Sequence, residues 1–269
     1  MELRKLQEKE FHNLVSDQSL KADNHKYKYL TSNKKFYSIV ESSRTFAERY
    51  LIANLKDKKV LDYCCGNGNM SVWMAKNQAS EVIGIDISEI EIENCKKMAL
   101  EQGVEEKTKF IVMDAEEMEF DNNVFDIIYV SGVLHHLDLQ RSYPEMSRVL
   151  RPDGVAICIE ALGHNQLINL YRKMTPQLRT EWETQHILKK KDIEFAKNYF
   201  GKVEILGFFH LAAIGAVPFR NLPGFKTLLT SLEAVDSFLT RLPLLKWQAW
   251  QVVFQLSQPL KVENEVKSR

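Results

Sequence analysis

Val60-Leu61-Asp62-Tyr63-Cys64-Cys65-Gly66-Asn67-Gly68-Asn69-Met70 decides how this chain is read. An apolar strand ends on Asp62 and passes straight into a glycine-containing turn and then a helix. Such a turn lets backbone N–H groups approach a ligand with no side chain in the way. It points to a nucleotide-like cofactor, and the segments that follow decide which one.

Working outward, short apolar strands alternate with helices. Lys59 to Cys65 reads as a buried strand, Met70 to Ala79 as a helix and Glu81 to Ser88 as a second strand. Ser88 with Glu91 forms a capping box, opening a helix that buries Ile92, Cys95, Met98 and Ala99 and stops at Gly103. Thr108 to Ala115 is a third strand, Phe125 to Ser131 a fourth and Tyr143 to Leu150 a helix. Pro152-Asp153-Gly154 is a turn feeding a fifth strand, Val155 to Glu160. This alternation predicts a parallel sheet covered on both faces, a doubly wound α/β fold with ligands beyond the carboxyl ends of its strands.

The flanks are different. Phe36 to Leu55 has helical spacing, preceded by a polar and aromatic arm carrying Tyr27 and Tyr29, with Tyr37 just inside the helix. After Leu162 the alternation breaks into an insertion, His164 to Lys191, long enough to cover a substrate. Val203 to Phe209 is predicted as a sixth strand, Thr227 to Leu242 as a helix and Trp247 to Leu256 as the last strand. The apolar run Phe208 to Phe219 is too short to span a bilayer. With Leu222 to Leu245 it could line a pocket, a dimer face or a membrane-surface patch, and burial against the sheet is the expectation. The domain plan is an N-terminal helical cap over 1–57, a cofactor-binding core over 58–162, the insertion over 163–200, the rest of the sheet over 201–260 and a charged, disordered tail over 261–269.

Composition bounds the rest. At 269 residues, 45% hydrophobic and 27% charged, the chain can bury a sizeable core. Lys plus Arg and Asp plus Glu both count 36, so nothing resembles the positive field of a protein that grips phosphate backbones, and nucleic acid is not expected as substrate. Met1 to Phe11 is charged from its second residue, with no apolar stretch for a secretory signal, and a cytoplasmic location follows. Cys64, Cys65, Cys95 and Cys158 lack Cys-x-x-Cys spacing and read as reduced core thiols, with no metal expected. The partner is a small-molecule or peptide substrate, and the protein a monomer or homodimer with no transmembrane segment.

From Lys59 to Leu162 the chain resembles the class I S-adenosylmethionine-dependent methyltransferases, of the small-molecule, natural-product type. The resemblance implies a seven-stranded, mostly parallel sheet whose last two strands form an antiparallel ending, and S-adenosyl-L-methionine as cofactor, leaving as S-adenosyl-L-homocysteine. The family usually has an acid followed by glycines two, four and six positions later. Here those positions are Asp62, Cys64, Gly66 and Gly68, so the first glycine is replaced, with Cys65 beside it. The match assigns the ribose hydroxyls to Asp86, with Ile87 next to it, and adenine to Asp114-Ala115. It sets the methionine moiety beside Ser131, at the end of Phe125-Asp126-Ile127-Ile128-Tyr129-Val130-Ser131. A dinucleotide site would want a third glycine near Ser71, which sets an NAD-dependent dehydrogenase behind.

Methyl transfer is an in-line displacement that needs alignment, exclusion of water and, for some acceptors, removal of a proton. His135 and His136 sit where a base belongs, each with a structural role as its alternative. His164 is another base or a capping histidine. In the insertion, Tyr171, Arg172 and Arg179 are placed to meet substrate, the arginines as forks for a carboxylate or as partners of an acid such as Glu181. The reading is transfer to oxygen, hydroxyl or carboxylate, of a small-molecule or peptide-derived metabolite in natural-product tailoring. Transfer to nitrogen, or a non-catalytic cofactor-binding subunit, is the alternative.

Overall fold

The computed structural model describes residues 2–16 and 32–261. Tyr27, Tyr29 and the tail beyond 261 therefore lie outside the described residues. A seven-stranded sheet runs β1 (Lys59–Tyr63), β2 (Glu81–Asp86), β3 (Thr108–Val112), β4 (Phe125–Ser131), β5 (Leu150–Ala161), β6 (Phe200–Phe209) and β7 (Gln251–Pro259) in the spatial order β3-β2-β1-β4-β5-β7-β6. The first five strands are parallel, while β7 lies antiparallel between β5 and β6. The expected doubly wound topology with its antiparallel ending is present.

Alternation of side chains along each strand splits the core in two. Leu61, Tyr63, Ile128 and Val130 point to one face, against Tyr143, Met146 and Val149 of the helix Leu139–Val149. Val60, Val82, Ile127 and Tyr129 point to the other, against Ala47 and Leu51 of Glu41–Ile52, Met74 and Ala75 of Asn69–Lys76, and Ile92 and Cys95 of Glu89–Glu101. Burying one such aliphatic side chain contributes about 1.5–3 kcal/mol, which is why strands covered on both faces read as unbroken apolar runs.

In chain order the helices are α1 (Leu3–Ser16), α2 (Glu41–Ile52), α3 (Asn69–Lys76), α4 (Glu89–Glu101), α5 (Leu139–Val149), α6 (Gln166–Met174), α7 (Glu181–His186), α8 (Lys190–Phe195) and α9 (Phe225–Leu239). Ser88 caps α4 through the Glu91 N–H, as its spacing predicts. Asp138 caps α5, so that helix starts four residues earlier than its apolar pattern indicates.

Three expectations are corrected. Pro152-Asp153-Gly154 is not a free turn before β5 but part of an irregularity within it, because Phe125 pairs with Leu150 and Ile127 with Val155. The last strand begins at Gln251, since Lys246–Gln248 forms a short 3-10 helix. The segment Leu222 to Leu245 is not buried against the sheet: β6 is the edge strand, and Asp236 is the sole buried residue of α9.

Candidate active site

The carboxyl ends of β1, β2, β4 and β5 open into a cavity of about 920 Å³, within the range that holds a cofactor together with a small substrate. After Tyr63 the backbone enters the left-handed region at Cys64 (φ +57°), Gly66 (φ +49°) and Gly68 (φ +73°), and Gly68 begins α3. A Cβ on Gly68 would lie 2.7 Å from Cys95 Sγ, so only glycine lets α3 and α4 meet there. Asp62 turns inward and accepts a hydrogen bond from Ser71 Oγ at 2.5 Å. Burial pushes its carboxyl up to about 6, against the Ser71 hydrogen bond.

Asp86 ties the turn to the second strand. Its Oδ2 accepts the Gly66 N–H at 3.0 Å and its Oδ1 the Ser88 N–H at 2.9 Å, and burial raises its pKa despite them. Asp114 Oδ1 accepts the Glu116 N–H, and the Ala115 carbonyl accepts the Tyr63 hydroxyl at 2.6 Å. Ile87, Cys64, Cys65 and Ser131 line the same cavity, whereas Gly68 does not reach it.

The residues beyond Ser131 form two histidine–carboxylate pairs. Buried His135 holds Nδ1 3.0 Å from Glu160 Oε2, while Glu160 Oε1 accepts the N–H groups of Val133 and Leu134 at 2.8 and 2.9 Å. His136 holds Nδ1 3.0 Å from Glu8 Oε2. Burial works against its charge, but the Glu8 carboxylate and neighbouring acids hold its pKa above the ordinary value. Both histidines line the cavity; His164 does not. His164 Nε2 accepts the Lys190 N–H at 2.9 Å, and its ring lies edge-on to Trp247, so the insertion turns it away from the reacting end.

Tyr171, Arg172 and Arg179 also line the cavity, and Nη1 of each arginine is tied to the protein while Arg179 Nε is buried without a hydrogen-bond partner. Arg172 Nη1 donates to the Leu162 carbonyl and Asn169 Oδ1, and Arg179 Nη1 to the carbonyls of Arg172 and Thr175. The acid beside Arg179 is Glu183, at 3.4 Å, rather than Glu181. Burial and the neighbouring Arg179 push Arg172 down to about 10.

Two contributions lie outside the sequence reading. One is Glu160, an acid ending an apolar strand as Asp62 and Asp86 do, a repetition that could have marked it. The other is α1, which lies over the cavity. Lys5 Nζ is 2.5 Å from Asp114 Oδ2 and 2.9 Å from Glu116 Oε2, Arg4 also pairs with Glu116, and Asn13, Lys9 and Ser16 reach Ser88, Glu89 and Glu91. Glu8 and His12, four apart on this helix, come with His136 within 4.8 Å of one another by their ligating atoms, an N₂O donor set able to hold a divalent ion.

The donor chemistry suits a cationic nucleoside cofactor: Asp86 and Asp114, both acceptor-only carboxylates, line the cavity beside a left-handed backbone turn and an acid-rich wall. Fold and site define a class I S-adenosylmethionine-dependent methyltransferase, with S-adenosyl-L-methionine as its cofactor. Comparison with known proteins agrees: the methyltransferase-domain family matches residues 60–154. A demethylmenaquinone methyltransferase from Staphylococcus aureus is 29% identical over 181 residues, covering 63% of this chain and 73% of the relative. Among solved structures, geranyl diphosphate C-methyltransferase from Streptomyces coelicolor A3(2) shares the fold at a TM-score of 0.61 and 15% identity, covering 96% of this chain and 98% of that one. The YcgJ protein from Bacillus subtilis does so at 0.55 and 20%, covering 80% and 99%.

Proposed function

We propose that this enzyme methylates the hydroxyl oxygen of a small, largely apolar metabolite in the cytoplasm, with His135 removing the hydroxyl proton. The observation that carries the reading is the His135–Glu160 pair at 3.0 Å in the wall beyond Ser131. With its Nδ1–H given to Glu160, a neutral His135 keeps Nε2 as an acceptor, and the carboxylate steadies the imidazolium once the proton arrives. Glu160 is itself held by two backbone N–H groups, so it orients His135 instead of taking the proton.

Bound in the cradle, S-adenosylmethionine supplies an electrophilic methyl on a sulfonium. The chain's part is to bind the ribose and adenine through Asp86 and Asp114, align the acceptor and exclude water. Phe36, Ile168, Ile214 and Trp250 supply an apolar and aromatic wall for the acceptor. Likeness to a demethylmenaquinone methyltransferase supports an apolar, aromatic acceptor, which on this proposal carries a free hydroxyl.

Hydroxylated aromatic metabolites incubated with S-adenosylmethionine and enzyme should gain a single methyl by mass spectrometry. His135→Ala and Glu160→Gln should lower kcat about 10²–10⁴-fold with cofactor binding retained, while His164→Ala should match wild type. A His135→Ala enzyme at full rate would remove the base from the proposal.

A further inference from the structure

We propose that α6 and α9 form a docking face for an anionic lipid bilayer, through which a membrane-dissolved acceptor enters the cavity. The identity of what is delivered rests on the function proposed above; the docking face stands on its own observations.

α9 is an apolar helix that the fold hardly covers. Phe225, Leu229 and Leu232 pack on a small cluster around Ile39, Ala216 and Val217, and the helix is otherwise pinned by the buried Asp236 carboxylate, which accepts the N–H groups of Leu211, Ala212 and Ala213. Its outer residues Leu228, Val235 and Phe238 face solvent, Phe238 being 64% exposed. Leu244, just beyond it, is 87% exposed. α6 repeats the arrangement: Ile168 and Tyr171 line the cavity, while Leu167 and Met174 on the same helix are 78% and 72% exposed. Phe36 joins the two regions, its ring 5.3 Å from Tyr171 and 5.5 Å from Trp250. α6 thus carries apolar residues both into the cavity and out to solvent, α9 packs on the same cluster as the cavity-lining Phe36, and monomeric proteins seldom leave such apolar patches uncovered without a partner.

Charge selects the partner. Between Leu211 and Trp250 the bases are Arg220, Lys226, Arg241 and Lys246 and the acids Glu233 and buried Asp236, in a chain whose overall charge is zero. Among the described residues none of these bases has a carboxylate within salt-bridge distance. A second copy docked on the same face would set like charges against each other, because a two-fold interface repeats each patch opposite itself. Anionic headgroups would neutralise these bases while the leucines and Phe238 enter the acyl boundary, the arrangement of an interfacial helix. No helix among the described residues is long and apolar enough to cross the membrane, so the contact is with its surface.

Sedimentation of the full chain with phosphatidylglycerol–phosphatidylcholine vesicles tests this without any acceptor. Binding should exceed that to pure phosphatidylcholine, fall as salt rises, and drop about tenfold or more in Phe238→Glu/Leu244→Glu and in Lys226→Glu/Arg241→Glu, with S-adenosylmethionine binding retained as proof of folding. No binding to the anionic vesicles, or binding indifferent to both double variants, would overturn the proposal. So would light scattering that shows a dimer dissolved by Phe238→Glu/Leu244→Glu. Vesicle binding with a fully active His135→Ala enzyme would instead remove only the assigned base.

Discussion

Cys64 stands in left-handed backbone, at the position where the family pattern has its first glycine, and its side chain faces the cavity. An L-residue is strained there by about 1–2 kcal/mol, part of which glycine would lose again through the freedom of its unfolded chain. Cys64→Gly should therefore be neutral or stabilising by up to about 1 kcal/mol, seen as a higher urea midpoint at unchanged slope. Burial and the Asp86 and Asp62 carboxylates push the Cys64 thiol well up, so it should resist alkylation in the folded protein. Asp86 is the counterpart where the side chain itself ties the turn together. Asp86→Ala should weaken S-adenosylmethionine binding by about 1–3 kcal/mol in titration calorimetry. It would free the Gly66 and Ser88 N–H groups as well as the ribose contact.

At the scale of elements, α1 is held over the cavity mainly by polar contacts. Its buried residues are Lys5 and Glu8, and Glu8 is shared between His136 and Thr180. Glu8→Gln should loosen this helix without touching the sheet, speeding amide exchange over α1 about tenfold while β1 and β4 stay protected. A second joint lies where the end of β6 meets α2. His210, fully buried with φ +63°, reaches Ser43 Oγ through Nε2 at 3.2 Å. Burial pushes its pKa down to about 4 from an ordinary 6.5, with Gln251 opposing. The fold thus favours the neutral ring, so this contribution is complete above pH 6.5 and is lost as pH falls from 6.5 toward 4, by about 3 kcal/mol in all. His210→Asn tolerates the left-handed backbone and cannot titrate. Its urea midpoint should change less than that of wild type between pH 7 and 5.

For the whole molecule, cofactor binding and folding are linked, because the cradle exists only when β1, β2 and β4 lie side by side. S-adenosylmethionine at about 100 times its Kd should stabilise the protein by about 2.7 kcal/mol and raise Tm by several degrees; NAD at the same concentration should not. The parallel core was legible because each of its strands carries its own evidence: an apolar run that ends in a polar residue and a turn. The capping of α4 by Ser88 was legible for the same local reason. Other features were not, because their evidence lies across the chain. Glu8 meets His136 over 128 residues of separation and Glu160 meets His135 over 25, distances at which spacing says nothing about contact. The apolar segment 222–245 misled because hydrophobicity records a preference for leaving water, not which surface is available to receive it. The sequence by itself determined the doubly wound sheet and the strand-end segments that meet in the cavity, since periodicity and turn chemistry act over a few residues. Only the tertiary structure decided which carboxylate each cavity histidine meets, that α1 roofs the cavity, and that α9 leaves part of its apolar surface outside, because those outcomes depend on what distant segments reach and leave uncovered.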